Sequence, residues 1–252
     1  MIARTVTLGA LLFSTMAGAQ ANTTNLVANG GFESSTNGAE LQLGTKTDLT
    51  GWTASGYAFL FNGATAGSNG AIYQGQNSQG QPTDYRIRLW GTTYGPANGL
   101  GASASGGNFV GIDGAYDTHP LSQTISGLTV GQQYEVSFQW AAAQEYTYYG
   151  ASYSNWTVSL GNESYTTATQ QIASQGFSGW LNQTFTFTAD SSSEVLSFLA
   201  GGGPHGLPPF ALLDGVSMTA AAVPEPSSWA LMLAGFGLMG AVARRRRNSD
   251  HG

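Results

Sequence analysis

The chain of 252 residues is poor in charge, at 9% Asp, Glu, Lys and Arg, rich in glycine at 36 residues, and devoid of cysteine. Between residues 22 and 222 only Lys46, Arg86 and Arg88 oppose twelve acidic residues, a net −9 that argues against nucleic acid and anionic membrane surfaces as partners. Disulfide stapling is excluded, so stability must come from a hydrophobic core or from bound metal, and polarity is carried by Ser, Thr, Asn and Gln.

The N-terminus reads as a secretory signal peptide over residues 1–21. Arg4 supplies the positive charge, residues 6–16 an apolar stretch too short to span a bilayer, and Ala19-Gln20-Ala21 a small-x-small cleavage site. The mature chain then starts at Asn22, or at Gln20 if cleavage follows Ala19.

The body, residues 22–222, is ample for one all-β domain. Residues 26–33 (LVANGGFE) open it with an apolar strand broken at Gly30-Gly31, and residues 56–80 read as glycine-rich loops with one or two short strands. In residues 85–90 (YRIRLW), Arg86 and Arg88 alternate with Ile87 and Leu89, the period of a half-buried strand. Residues 108–113 and 121–125 are strands joined by a loop at 114–120. The strongest strand follows, with Tyr134, Val136, Phe138 and Trp140 on one face and Glu135, Ser137 and Gln139 on the other. After an aromatic loop (EYTYYGASYSN) come a hairpin turning at Gly161-Asn162, strands at 181–189 and 194–199, and a last strand at 209–219. Nine or ten strands without a helix predict a β-sandwich, read as a jelly roll. Trp52 and Trp90 are expected in its core.

The C-terminal segment, residues 223–252, changes character. Pro224-Glu225-Pro226 precedes an uncharged run at 227–243, and Arg244, Arg245, Arg246 and Arg247 close it. Seventeen residues give a helix of about 25 Å, a short transmembrane span that arginine snorkelling completes. Trp229 stands at one interface and the arginines on the cytoplasmic side, so the body is outside. A buried core helix is the alternative. The order Pro-Glu-Pro, Trp229-Ala230, Gly235-Phe236-Gly237, arginine cluster resembles the PEP-CTERM sorting signal in its PEPxxWA form. That resemblance implies a Gram-negative bacterial exported protein, processing by an exosortase-type membrane protease, removal of the helix, and release or attachment at the cell surface.

A second resemblance covers most of the body. LVANGGFES with a following GWT, GLTVGQQYEVSFQWA, and PPFALLDGVSM are similar to the galactose-binding-like jelly rolls of carbohydrate-binding modules. Those modules hold a structural calcium between first and last strands, a role that the resemblance carries to Glu33 and Asp214. Independently, Asp214 falls in phase with Phe210, Leu212, Val216 and Met218, where a carboxylate is costly unless paired or ligating a metal such as Ca²⁺. A solvated turn position is the other reading.

Three further features bear on function. Tyr146, Tyr148, Tyr149 and Tyr153 fall in the aromatic loop, where rings can stack on sugar faces or pack on the sandwich edge. Asp113, Asp117 and His119 form either a cation or acid/base cluster or a solvated loop. No Gly-x-Ser-x-Gly elbow or phosphate-binding loop is present, and His119 and His205 are the body's histidines, so zinc sites are poorly supplied. The sequence therefore predicts an exported, non-catalytic surface or biofilm-matrix protein that binds exopolysaccharide. The rivals are a structural surface protein without a ligand and a glycan-active hydrolase using paired carboxylates.

Overall fold

The computed structural model describes residues 24–222 and 232–239. Contacts divide the chain into two units, residues 23–221 and the two termini taken together. In the terminal unit residues 232–239 are helical, and among the described residues no helix is long and apolar enough to cross a membrane. The expected span 227–243 is described only over that stretch. The signal peptide, the residues from Pro224 to Trp229, and Arg244 to Arg247 lie outside the described residues.

The described residues of the body form thirteen strands in a two-sheet sandwich. The wider sheet runs β11 (Leu181–Thr188), β7 (Gln133–Gln144), β13 (Pro209–Ala220), β5 (Asn108–Asp113), β2 (Ala58–Asn62), β1 (Leu41–Gln42), β3 (Ala71–Gln76) and β4 (Pro82–Ile87). The narrower runs β10 (Gln170–Ile172), β8 (Ser152–Leu160), β12 (Ser193–Gly203) and β6 (Leu121–Ser126), with β9 (Glu163–Thr166) also on β8. Neighbouring strands are antiparallel except β1 and β3.

Alternation in β7 sends Tyr134, Val136, Phe138 and Trp140 between the sheets, as expected, and Phe138 meets Phe198 of β12 edge-on at 5.2 Å. Trp156 of β8 is fully buried and its indole Nε1 donates to the Leu212 carbonyl at 3.1 Å, tying one sheet to the other. Trp52 and Trp90 are buried as expected.

A second apolar layer covers the outer face of the wider sheet. Phe59, Phe61, Phe109, Ala141, Phe210 and Leu212 belong to it. Loops roof part of this layer: the Trp180 ring lies 5.4 Å from Phe109, and its Nε1 donates to the Gly101 carbonyl at 3.0 Å. Strands buried on both faces lose the alternating pattern. Residues 56–80 hold two short strands among loops, as expected: β2, fully buried over Ala58 to Phe61 and therefore without an alternating pattern, and the more exposed β3.

Three expectations need correction. Residues 26–33 are not a strand. Asn29 and Phe32 take positive φ (51° and 57°), so the segment follows β13 irregularly, through Leu26 N–H to Met218 O and Val216 N–H to Gly30 O. β8 starts at Ser152, which places Tyr153 in a strand and not in the aromatic loop. Asp214 shares its face with Phe210 and Leu212 of the outer layer and not with Val216 and Met218, which point into the inter-sheet core. The cause is a bulge between Asp214 and Ser217, where Gly215 at φ 59° inserts one residue and reverses the phase.

Candidate functional site

Where the loop roof ends, the outer layer opens into a cavity of about 420 Å³. Its floor is set by strand ends: Tyr57 precedes β2, Tyr73 lies on β3, Asp113 closes β5, and Glu145 follows β7. The rim comes from Tyr116 in the β5–β6 loop, Tyr148 after β7, and His205 between β12 and β13.

Glu145 continues the row of Ala141 and Ala143, two-residue steps that keep it on the outer face. Its backbone N–H donates to Pro208 O at 3.3 Å, and the Tyr146 N–H donates to Arg88 O at 2.8 Å, so the strand end is held from both sides. Gln144, fully buried, accepts from the Gln175 N–H and donates to Gly150 O, closing the 145–150 loop. The Tyr148 carbonyl accepts from Trp90 Nε1 at 2.8 Å, which fixes that ring at the rim.

Tyr57 Oη donates to the Glu145 carboxyl at 3.3 Å, and its ring meets Tyr73 and Tyr116 edge-on at 5.2 and 5.5 Å. Asp113 and Glu145 are 1% and 7% exposed. Burial pushes the Glu145 carboxyl up to about 8, with the charge of Asp113 adding to the rise and the Tyr57 hydrogen bond opposing it. Burial pushes Asp113 up to about 6, against the N–H groups of Ala115 and Tyr116 and the nearby His205, which lower it. The Tyr57 phenol is raised well above its ordinary range by burial and then by Glu145. At neutral pH the cavity therefore holds a neutral carboxyl that can donate and a carboxylate that accepts, lined by tyrosine rings.

Sequence reasoning reached Asp113 and Tyr148 and missed Tyr57, Tyr73, Tyr116, Glu145 and His205. The signal for Glu145 was present: a carboxyl in phase with small residues at the end of a long, strongly alternating strand. Tyr146 and Tyr149 pack instead on Trp90, at 4.7 and 5.2 Å, and Tyr153 stands on β8 opposite Gly203. Asp117 and His119 lie 3.3 Å apart in the exposed part of the β5–β6 loop.

Glu33 and Asp214 act on each other through charge. Asp214 is fully buried, accepts from Ser103 Oγ and from the Gly215 N–H (2.7 Å), and is raised to about 6 by burial, with the Glu33 charge contributing. Glu33 accepts from the Asn108 N–H at 2.7 Å, and its carboxylate lies so close over Gly107 that a β-carbon there would overlap it. Among the described residues no group of three or more His, Cys, Asp or Glu is placed to share a metal ion.

Residues 222–247 match the PEP-CTERM protein-sorting motif, which implies export and processing by an exosortase. No curated protein sequence matches the chain. Among solved structures, the chain is similar to TmCBM61 in complex with β-1,4-galactotriose (15% identity, 79% of this chain and 100% of that one, TM-score 0.38). It is also similar to the CBM22-1 xylan-binding domain of Xyn10C from Paenibacillus barcinonensis (13% identity, 81% and 99%, TM-score 0.37). A CBM4 structure is similar at 18% identity, over 77% and 99% of the two chains, with a TM-score of 0.34.

Proposed function

We propose that the mature protein is a non-catalytic component of the cell surface or extracellular matrix that binds a saccharide of an exopolysaccharide in this cavity, on a sandwich read as a jelly roll. The observation that carries the reading is the cavity itself: a volume of about 420 Å³, tyrosine rings, and two buried carboxyls. Ligand sites of this size are mostly apolar with a few placed polar groups. Ring faces cover the C–H faces of a pyranose, Asp113 accepts from its hydroxyls, and neutral Glu145 donates to a ring or hydroxyl oxygen. The test is calorimetric titration of the chain with a panel of oligosaccharides. Tyr148→Ala is expected to weaken binding about tenfold, which is about 1.4 kcal/mol. Absence of binding to the whole panel favours a purely structural surface protein, and unchanged affinity in Tyr148→Ala removes the cavity from the reading.

A second reading has a specific support: two carboxyls of one cavity are pushed to different values, about 6 and about 8, the condition for an acid/base pair in glycoside hydrolysis. Release of reducing ends from a bound polysaccharide, abolished in Glu145→Gln, would replace the non-catalytic assignment.

Glu33 and Asp214 are proposed as ligands of a structural Ca²⁺. What supports this is the donor chemistry: two carboxylates whose charges act on each other, no basic partner among the described residues, and the hydroxyl oxygen of Ser103 beside Asp214. A bound ion would offset the repulsion between them and pin residues 30–33 to the bulge in β13.

A further inference from the structure

Resting on the saccharide reading of the same cavity, we propose that the preferred ligand carries a protonated amine: the glucosamine-type unit of a polysaccharide from which acetyl groups have been removed. Three observations point there. First, Asp113 and Glu145 are both buried in one cavity, and among the described residues no lysine or arginine lines it. The body's basic residues are engaged elsewhere: Lys46 with Asp84 at 2.7 Å, Arg86 with Asn69 O, and Arg88 with Ser68 O. Among the described residues Asp113 has only His205 as a nearby basic group, and Glu145 keeps its proton; an ammonium supplied by the ligand can take the place of that proton and pair with both carboxylates, which a hydroxyl or an N-acetyl group cannot. Second, tyrosines surround the carboxyls. Tyr57 touches Glu145 through its hydroxyl and packs against Tyr73 and Tyr116, while Tyr148 closes the rim. Aromatic faces attract a cation within about 6 Å of the ring centroid, which adds to the carboxylate attraction. Third, the void holds a sugar ring and not merely an ion, and the cavity's acidic and imidazole groups are not placed to share one metal. Electrostatics alone would accept any cation; the volume and the ring walls select an organic one.

The experiment is calorimetric titration of the full chain, purified in detergent, just below neutral pH. The probes are the tetramer of glucosamine, its fully N-acetylated counterpart, and a neutral β-1,4-galactan tetramer. The glucosamine tetramer is expected to bind at least about tenfold more tightly than either other probe. Asp113→Asn, which removes the standing carboxylate, should bring that ratio to near one, and Glu145→Gln, which prevents the second carboxylate from forming, should lower it, with melting curves confirming the fold. Glu135→Gln, which removes an exposed acid on β7, should leave the ratio in place. Equal or tighter binding of the acetylated or neutral tetramer overturns the amine preference and leaves the saccharide site standing. A preference that survives both cavity variants also overturns it, by placing the amine on the acidic surface. Failure of all three probes to bind counts against both the preference and the saccharide reading.

Discussion

A carboxyl that is 7% exposed faces Tyr57, Tyr148, Asp113 and His205 and stays protonated to about pH 8, well above its ordinary 4.5. The folded protein therefore keeps a proton on Glu145 that the unfolded chain releases. Stability from this group is full below pH 4.5 and is lost as pH rises through about 8, and Asp113 adds the same sign of change through about 6. In ligand-free protein with chelator present, the melting temperature should fall from mildly acidic to alkaline pH. Glu145→Gln should flatten the upper part of that fall and raise stability at pH 8 by about 2–4 kcal/mol. A melting temperature that climbs with pH over this range would contradict the assignment. Nearby, Thr147 holds φ 81°, a left-handed value that a β-branched residue rarely adopts, at an exposed position of the loop carrying Tyr148. Thr147→Gly should remove strain and, after the entropy cost of glycine, gain about 1 kcal/mol in denaturant unfolding. A loss of stability would mean that the threonine side chain contributes contacts exceeding that strain.

The strands that build both candidate sites differ in how plainly they can be read. β7 declares itself by alternation because one of its faces meets the inter-sheet core. β2 does not, because Phe59 and Phe61 on one side and Leu60 on the other leave no polar face to mark the period; β5, buried on both faces in the same way, was still legible at 108–113 as a short apolar run. β13 misleads in a third way: its apolar residues run in steps of two from Phe210 to Met218, yet Gly215 shifts the phase midway. Asp214 was legible as a buried carboxylate, but the bulge that aims it toward Ser103 is a backbone event without a side-chain signature. Gly215 should accordingly be intolerant. A β-carbon there would stand 2.4 Å from Ser105 Oγ at a φ of 59°, so Gly215→Ala should cost about 1–3 kcal/mol. If the strand serves a calcium site, chelation should lower the melting temperature of the parent protein by several degrees and leave that of Asp214→Ala unmoved. Identical parent curves with and without chelator would reject the ion.

At the scale of the whole molecule, the chain combines a body with a net charge of −9 and a C-terminal segment carrying four consecutive arginines, so processing changes its charge as well as its length. The sorting motif was the most legible feature of the sequence because Pro-Glu-Pro followed by an apolar run and arginines is read from residue order alone, unlike a cavity assembled from five separate segments of the chain. Cleavage near Pro224 would detach the segment that holds Arg244 to Arg247 and leave the acidic sandwich with its cavity as the working molecule. In a host with an exosortase, the mature form should focus at a more acidic pI than the precursor, having lost four arginines against two acids, Glu225 and Asp250. Glu225→Ala should hold the protein at precursor length in the inner membrane while the sandwich domain keeps the same saccharide affinity, because the described residues that line the cavity run from Tyr57 to Pro208. Normal maturation of that variant would show that the Pro-Glu-Pro carboxylate is not what the protease reads. Reduced saccharide affinity in it would show that the terminal segment and the cavity are coupled.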